Sequence, residues 1–183
     1  MPPEWHPHRA CLLIYPHNTG VFRTDESISK EKCGPARLEV RNVARAICNI
    51  GKEDVIILCN TENDAKRLLS DLNDERSDND SQKHKIMVRV CASDDSWCRD
   101  TGPTFVFASK NNGATEIVGL DWRFNAYGGP EEGCYWPCLK DQALARNSIS
   151  LLNDDGLDVG HHFVAMILEG VSTIKSPTHN LFL

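Results

Sequence analysis

The sequence contains no long hydrophobic run and no excess of positive charge. Its longer apolar runs, such as CLLIY at residues 11–15 and VAMIL at residues 164–168, fall far short of the about 20 residues that a transmembrane helix needs. The formal net charge is −6, whereas binding to nucleic-acid phosphates favours a basic surface. We therefore expect neither a membrane nor a nucleic acid as partner.

The sequence also lacks the features of a secreted, disulfide-rich protein. Its start shows no basic segment followed by an apolar one, as a secretory signal would have. The eight cysteines are scattered, which in such a chain indicates reduced thiols rather than a disulfide set. Cys48 and Cys59 lie in apolar segments and are expected to be buried. We predict a cytoplasmic protein.

Motifs for phosphate or metal binding are missing as well. There is no glycine-rich phosphate loop and no histidine pair around a glutamate at helical spacing. Cys134 and Cys138, with His161 and His162, could supply four zinc ligands. Adjacent residues of a strand point to opposite faces, however, so the two histidines cannot easily share one ion. A zinc-binding structural protein stays an alternative, but we predict no metal site.

What the sequence does contain is an alternation of apolar runs and amphipathic segments, typical of one mixed α/β domain. Leu38, Val40, Val43, Ala44, Ile47 and Ile50 make a single helical stripe, and Thr61 is a predicted N-cap of the following helix. The predicted strands are residues 11–16, 54–60, 86–91, 104–109, 115–125 and 161–170, and the predicted helices are residues 36–51, 61–72 and 141–153.

The segment DDSWCRDTGP, residues 94–103, follows a predicted strand and contains a tryptophan that a solvated turn does not need. One interpretation is an acidic loop whose Trp97 fills a nearby core. The other is a site for a flat cation, because an indole face attracts cations and a carboxylate such as Asp100 accepts paired hydrogen bonds from a guanidinium. Functional loops in α/β folds usually follow the carboxyl ends of strands.

Four segments then occur in a characteristic order: PPEWHPH, DDSWCRDTGPTFVF, GLDWRFNAYGG and MILEG. In this order and spacing they resemble the agmatine deiminases of the Porphyromonas-type peptidyl-arginine deiminase family, within the pentein superfamily. The resemblance covers residues 1–170, and we expect residues 171–183 to be a tail outside the family.

The resemblance implies an α/β propeller of ββαβ modules, of which this chain would form about half. It implies hydrolysis of agmatine to N-carbamoylputrescine and ammonia, in putrescine biosynthesis, with a cysteine nucleophile and without metal or organic cofactor. Family members are commonly dimers. A peptidyl-arginine deiminase and a non-catalytic guanidinium-binding fragment remain alternatives.

By motif match, Asp100 would hold the guanidinium, Trp97 would line the substrate channel and Glu169 would orient the catalytic histidine. The motifs of the family's nucleophilic cysteine and catalytic histidine do not occur in these 183 residues. We therefore expect no turnover by this polypeptide alone, and self-association through uncovered surfaces. The residues expected to shape the pocket wall are Trp122, Asn125, Gly128 and Gly129.

Overall fold

The structure is a computed structural model that describes residues 8–22, 32–74, 84–110 and 112–167. They divide into two compact units, with the boundary between Cys98 and Arg99. Each unit combines helices with a three-stranded sheet, so the predicted α/β class is confirmed. No helix in the described ranges is long and apolar enough to cross a bilayer.

The sheet of the first unit is parallel, in the order β1-β2-β3. Each connection between its strands runs through a helical segment, as parallel pairing requires. The elements are β1 (Ala10–Ile14), α1 (Gly34–Ala46), a π-helical turn (Ile47–Gly51), β2 (Asp54–Cys59), α2 (Glu62–Asp74) and β3 (Ile86–Val90).

The core of the first unit forms around the central strand β2, whose residues Val55 to Cys59 are all buried. Ala44 and Cys48 cover it from the α1 side, and Leu68 covers it from α2. The expected burial of Cys48 and Cys59 is confirmed. Thr61 also acts as expected, because its Oγ1 accepts a hydrogen bond from the Asp64 N–H at 3.1 Å.

The expected apolar stripe of α1 is partly wrong, because Val43 is 47% exposed and Ile50 is 81% exposed. Two arginines, Arg37 and Arg41, are buried on the helix instead. Arg37 and Ala44 are seven residues, or about two helical turns, apart and therefore lie on the same face of α1. This is the buried face, and Val43 lies beside it. The π-helical turn widens the helix, which shifts the phase of Ile50.

The buried arginines are satisfied by specific partners. Arg37 donates from Nη2 to Asp64 Oδ1 at 2.7 Å and from Nε to the carbonyl oxygen of Pro16 at 2.7 Å. Arg41 pairs with Asp71 at 3.1 Å. Such pairing is what allows a charged side chain to be buried.

The sheet of the second unit is mixed. The hairpin of β4 (Thr104–Ser109) and β5 (Thr115–Arg123) is antiparallel, as predicted, and β6 (Val159–Ile167) pairs parallel to β5. The helix α5 (Asp141–Asp154) connects the sheet's last two strands along the chain. Two single-turn helices that the sequence did not predict are α3 (Cys98–Thr101) and α4 (Gly129–Glu132).

Gly119 lets α5 pack closely on β5. A Cβ at this position would lie 2.5 Å from Cδ1 and 2.8 Å from Cγ1 of Ile149, which is itself buried. Contacts this short require a displacement of the helix or of the Ile149 side chain. Gly119 is therefore a packing requirement of the second unit.

We predict that Gly119→Ala lowers the free energy of unfolding by about 1–3 kcal/mol, since added methyl groups in a packed core cause strain. Ile149→Ala removes both clashing carbon atoms, so the double variant should be less destabilised than the sum of the two single variants. Urea unfolding followed by circular dichroism measures all four proteins.

Gly51→Ala is the control, because its Cβ would meet no atom closer than Ile47 Cγ2 at 3.9 Å. Equal destabilisation by the two glycine substitutions, or strict additivity with Ile149→Ala, would contradict this account of the packing.

The buried thiols couple stability to pH. Burial raises the pKa of Cys59 from 9.0 to about 12, with a further contribution from Asp64 that Arg37 opposes. In the unfolded chain this thiol ionises near its ordinary pKa of 9.0. Its contribution to stability is therefore complete below pH 9 and is lost progressively as the pH rises towards 12.

We predict that this one thiol accounts for a loss of about 1.4 kcal/mol in unfolding free energy between pH 8 and pH 10. Cys59→Ala should remove that part of the pH dependence, whereas Cys134→Ala, at an exposed position, should leave it unchanged. Urea titrations of the three proteins at both pH values provide the test. Identical pH slopes in wild type and Cys59→Ala would show that Cys59 ionises equally in both states.

Candidate functional site

The loop after β3 is held by side chains that follow the other two parallel strands. Asn60, directly after β2, accepts a hydrogen bond at Oδ1 from the Ser93 N–H at 3.2 Å. Asn18, after β1, donates from Nδ2 to the carbonyl oxygen of Asp94 at 3.2 Å. Because the strands are parallel, all three segments leave the same edge of the sheet. These two asparagines fix the start of the DDSWCRDTGP segment.

Sequence reasoning missed both asparagines. A polar amide immediately after a fully apolar strand, as in VIILCN, was the available signal for Asn60. Nothing in the sequence singled out Asn18, whose role depends on a contact 76 residues away.

Within this loop, Asp95 and Trp97 differ in their exposure to solvent. Asp95 is 2% exposed, and its Oδ1 accepts a hydrogen bond from the Ser96 N–H at 2.8 Å. Trp97 is 47% exposed. The interpretation that this indole fills a core is therefore not supported in the first unit, and a large part of its surface is accessible to a ligand.

Asp100 lies in the second unit, in the single-turn helix α3. Its side chain is partly buried. Among the described residues, no hydrogen bond or ion pair engages this carboxylate. Within these ranges of the chain, the carboxylate of Asp100 is therefore available for the predicted role in guanidinium binding.

Two of the four residues predicted to shape the pocket wall anchor the segment that follows β5. Trp122 is buried, and its Nε1 donates to Thr104 Oγ1 at 3.0 Å. Asn125 accepts a hydrogen bond from the Gly129 N–H at its carbonyl oxygen, at 2.7 Å, and another at Oδ1 from the Tyr127 N–H at 3.1 Å. These contacts define the path of the chain out of the sheet.

The other two, Gly128 and Gly129, permit the tight turn before α4. A Cβ on Gly128 would lie 2.6 Å from the backbone carbon of Glu132. Gly129 has φ +73°, and Tyr127 before them has φ 65°, a region that residues with a Cβ enter at a cost. Gly128 is thus required by the close approach of the Glu132 backbone, and glycine at position 129 avoids the cost of a positive φ, independently of any ligand.

Strand β5 also contains a buried carboxylate that sequence reasoning missed. Asp121 is 2% exposed; its Oδ2 lies 3.1 Å from His161 Nε2 and 3.8 Å from Arg146 Nη1. His161 is therefore engaged by a carboxylate of β5, and among the described residues Cys134, Cys138, His161 and His162 form no metal-binding group.

An open cleft of about 600 Å³ lies in the first unit. Its lining includes Lys32, Arg37 and Arg67, with Asp64 as the acidic member. Arg37 and Asp64 pair with each other, and basic side chains outnumber acidic ones in this lining. A cationic ligand would be repelled, and we do not assign this cleft to a guanidinium compound.

Glu169, predicted to orient a catalytic histidine, lies outside the described residues, as do residues 171–183.

The chain is similar in sequence to known proteins over most of its length. Residues 1–176 match the family model of the Porphyromonas-type peptidyl-arginine deiminases. The chain is 32% identical over 151 residues to the agmatine deiminase of Ectopseudomonas mendocina (strain ymp), covering 82% of this chain and 35% of that protein. The same values hold for the agmatine deiminase of Pseudomonas aeruginosa (strain LESB58).

A solved structure, that of the agmatine deiminase of Enterococcus faecalis, superimposes with a TM-score of 0.64 at 26% identity, covering 88% of this chain and 37% of that one. The chain thus spans little more than a third of the length of these relatives. Since the family model matches nearly the whole chain, the chain belongs to the Porphyromonas-type peptidyl-arginine deiminase family.

Proposed function

We propose that this chain is the guanidinium-binding part of an agmatine deiminase, a hydrolase that converts agmatine to N-carbamoylputrescine and ammonia in putrescine biosynthesis. The observation that carries the proposal is the family match over residues 1–176, which includes the whole DDSWCRDTGP segment. The agmatine deiminases among its relatives support agmatine as the substrate.

The binding step would use Asp100 and Trp97. A carboxylate accepts two parallel N–H bonds from a guanidinium, which gives both strength and orientation. An accessible indole face contributes a further attraction of about 0.5–2 kcal/mol for a cation. Asp100 is partly buried, and no other described residue pairs with its carboxylate; Trp97 is about half exposed. These properties suit the two roles.

Glu169 is proposed to orient the catalytic histidine of the complete enzyme. We also propose that Trp122, Asn125, Gly128 and Gly129 shape the wall of the substrate pocket. The contacts of Trp122 and Asn125 support this indirectly, because they give the segment after β5 a fixed course.

We further propose that the two units are modules of a pentein-type propeller. In the second sheet Phe107, Phe163 and Met166 are each more than half exposed, and apolar surface of this kind favours coverage by further chain or by a second copy. The eight free thiols support a cytoplasmic location.

Binding of agmatine to the 183-residue chain tests the proposal. Asp100→Asn keeps the shape but removes the charge, so we expect binding about 10- to 100-fold weaker, the equivalent of losing a charged hydrogen-bonded pair. Asp158→Asn, at an exposed position in the same unit, is the matched control. Isothermal titration calorimetry gives the affinities.

Putrescine, which lacks the guanidinium, should bind weakly and equally to wild type and Asp100→Asn. Equal agmatine affinity of wild type and Asp100→Asn would refute the assigned role of Asp100. Ammonia release, measured in parallel, distinguishes turnover from binding. For the 183-residue chain alone we expect binding of agmatine without turnover.

A second candidate function is suggested by the family description, which names peptidyl-arginine. The same calorimetric experiment with an arginine amide blocked at its amino group distinguishes the two. Tighter binding of the blocked arginine than of agmatine would favour the peptidyl-arginine substrate.

A further inference from the structure

Three side chains with metal-binding atoms converge in the first unit, away from the guanidinium-binding segment. The ligand atoms of His8, Cys11 and Glu53 all lie within 4.8 Å of one another. Glu53 Oε1 is 3.4 Å from His8 Nδ1, and Cys11 Sγ donates a hydrogen bond to Glu53 Oε2 at 3.1 Å. Within the described residues, this is the one set of three His, Cys, Asp or Glu side chains whose ligand atoms are all this close together.

The parallel pairing of β1 and β2 brings the three residues together. Ala10 lies opposite Asp54, and Cys11 lies opposite Val55. His8, just before β1, and Glu53, just before β2, are therefore neighbours at the amino edge of the sheet. The loop that contains Trp97 leaves the carboxyl edge, so the two sites are at opposite ends of the same strands.

The distances fit ligands of one tetrahedral ion. With zinc bonds of about 2.0–2.3 Å, tetrahedral angles place neighbouring ligand atoms about 3.3–3.6 Å apart. The separation of His8 Nδ1 from Glu53 Oε1 is 3.4 Å and that of Cys11 Sγ from Glu53 Oε2 is 3.1 Å, and the ligand atoms of all three residues lie within 4.8 Å of one another. Small rotations of the side chains would be enough to admit an ion.

The chemistry of the ligands selects the type of ion. An imidazole, a thiol and a carboxylate together suit zinc, whereas magnesium and calcium favour sites made of oxygen atoms only. The side chains of His8 and Glu53 are 44% and 24% exposed, so an ion can reach them from solvent. Three protein ligands leave a fourth position for water.

We propose that His8, Cys11 and Glu53 bind one zinc ion at the amino edge of the first sheet. On binding, the Cys11 sulfur exchanges its proton for a zinc–sulfur bond, and the proton passes to solvent. The ion links the segments that precede β1 and β2, and so stabilises the first unit.

Zinc titration of the purified chain against a chromophoric chelator tests the site. We expect one zinc per chain, with affinity reduced at least about tenfold in each of Cys11→Ser, His8→Ala and Glu53→Gln. Cys134→Ser and His162→Ala are the matched controls, since both residues are exposed and lie outside the set; they should bind zinc like the wild type.

Two further measurements keep the result unambiguous. Cobalt should give a thiolate-to-metal charge-transfer absorption in the wild type that is absent in Cys11→Ser. Zinc should raise the midpoint of thermal unfolding of the wild type but not of His8→Ala, a substitution at a side chain that lies outside the core clusters and is 44% exposed. No stoichiometric zinc binding by the wild type, or zinc affinities of all three site variants equal to that of the wild type, overturns the proposal.

Discussion

The parallel pairing of β1, β2 and β3 is the constraint on which the described part of the first unit depends. It buries five consecutive residues of β2 and brings the carboxyl ends of all three strands to one edge. At that edge the amides of Asn18 and Asn60 bind the backbone of the loop after β3. At the opposite edge the same register places His8 and Glu53 side by side. One hydrogen-bonded ladder thus positions two groups of side chains with different chemistry.

Charge decides which groups of side chains can bind a guanidinium compound. The cleft in the first unit is lined by Lys32, Arg37 and Arg67, with Asp64 as the acidic member of its lining, and Arg37 pairs with Asp64. A flat cation instead requires an aromatic face and a carboxylate without a competing partner. Trp97 and Asp100 are residues of these types, and they are three positions apart in the segment that the family match covers.

Sequence patterns predicted most of the regular structure and little of what surrounds it. Apolar runs such as VIILC located the strands, because full burial in a parallel sheet leaves a distinctive signal. The exposure of Val43 was not predictable, since it follows from the burial of Arg37, whose partners Asp64 and Pro16 are distant in sequence. The exposure of Ile50 follows from the π-helical turn, which the apolar pattern did not indicate. The same holds for Asp121, whose burial is tied to His161 on a strand 40 residues later. The candidate site residues were proposed by motif, whereas the contacts around them depend on pairs that only the fold brings together.

The most direct test of the central claim is the indole N–H region of a ¹⁵N–¹H spectrum during agmatine titration, with the four tryptophan signals assigned by single Trp→Phe variants. The account predicts that agmatine shifts the signal of Trp97. The Trp122 signal, whose N–H is held by Thr104, should change less. A titration that shifts Trp122 or Trp136 and leaves Trp97 unchanged would contradict the proposed guanidinium site.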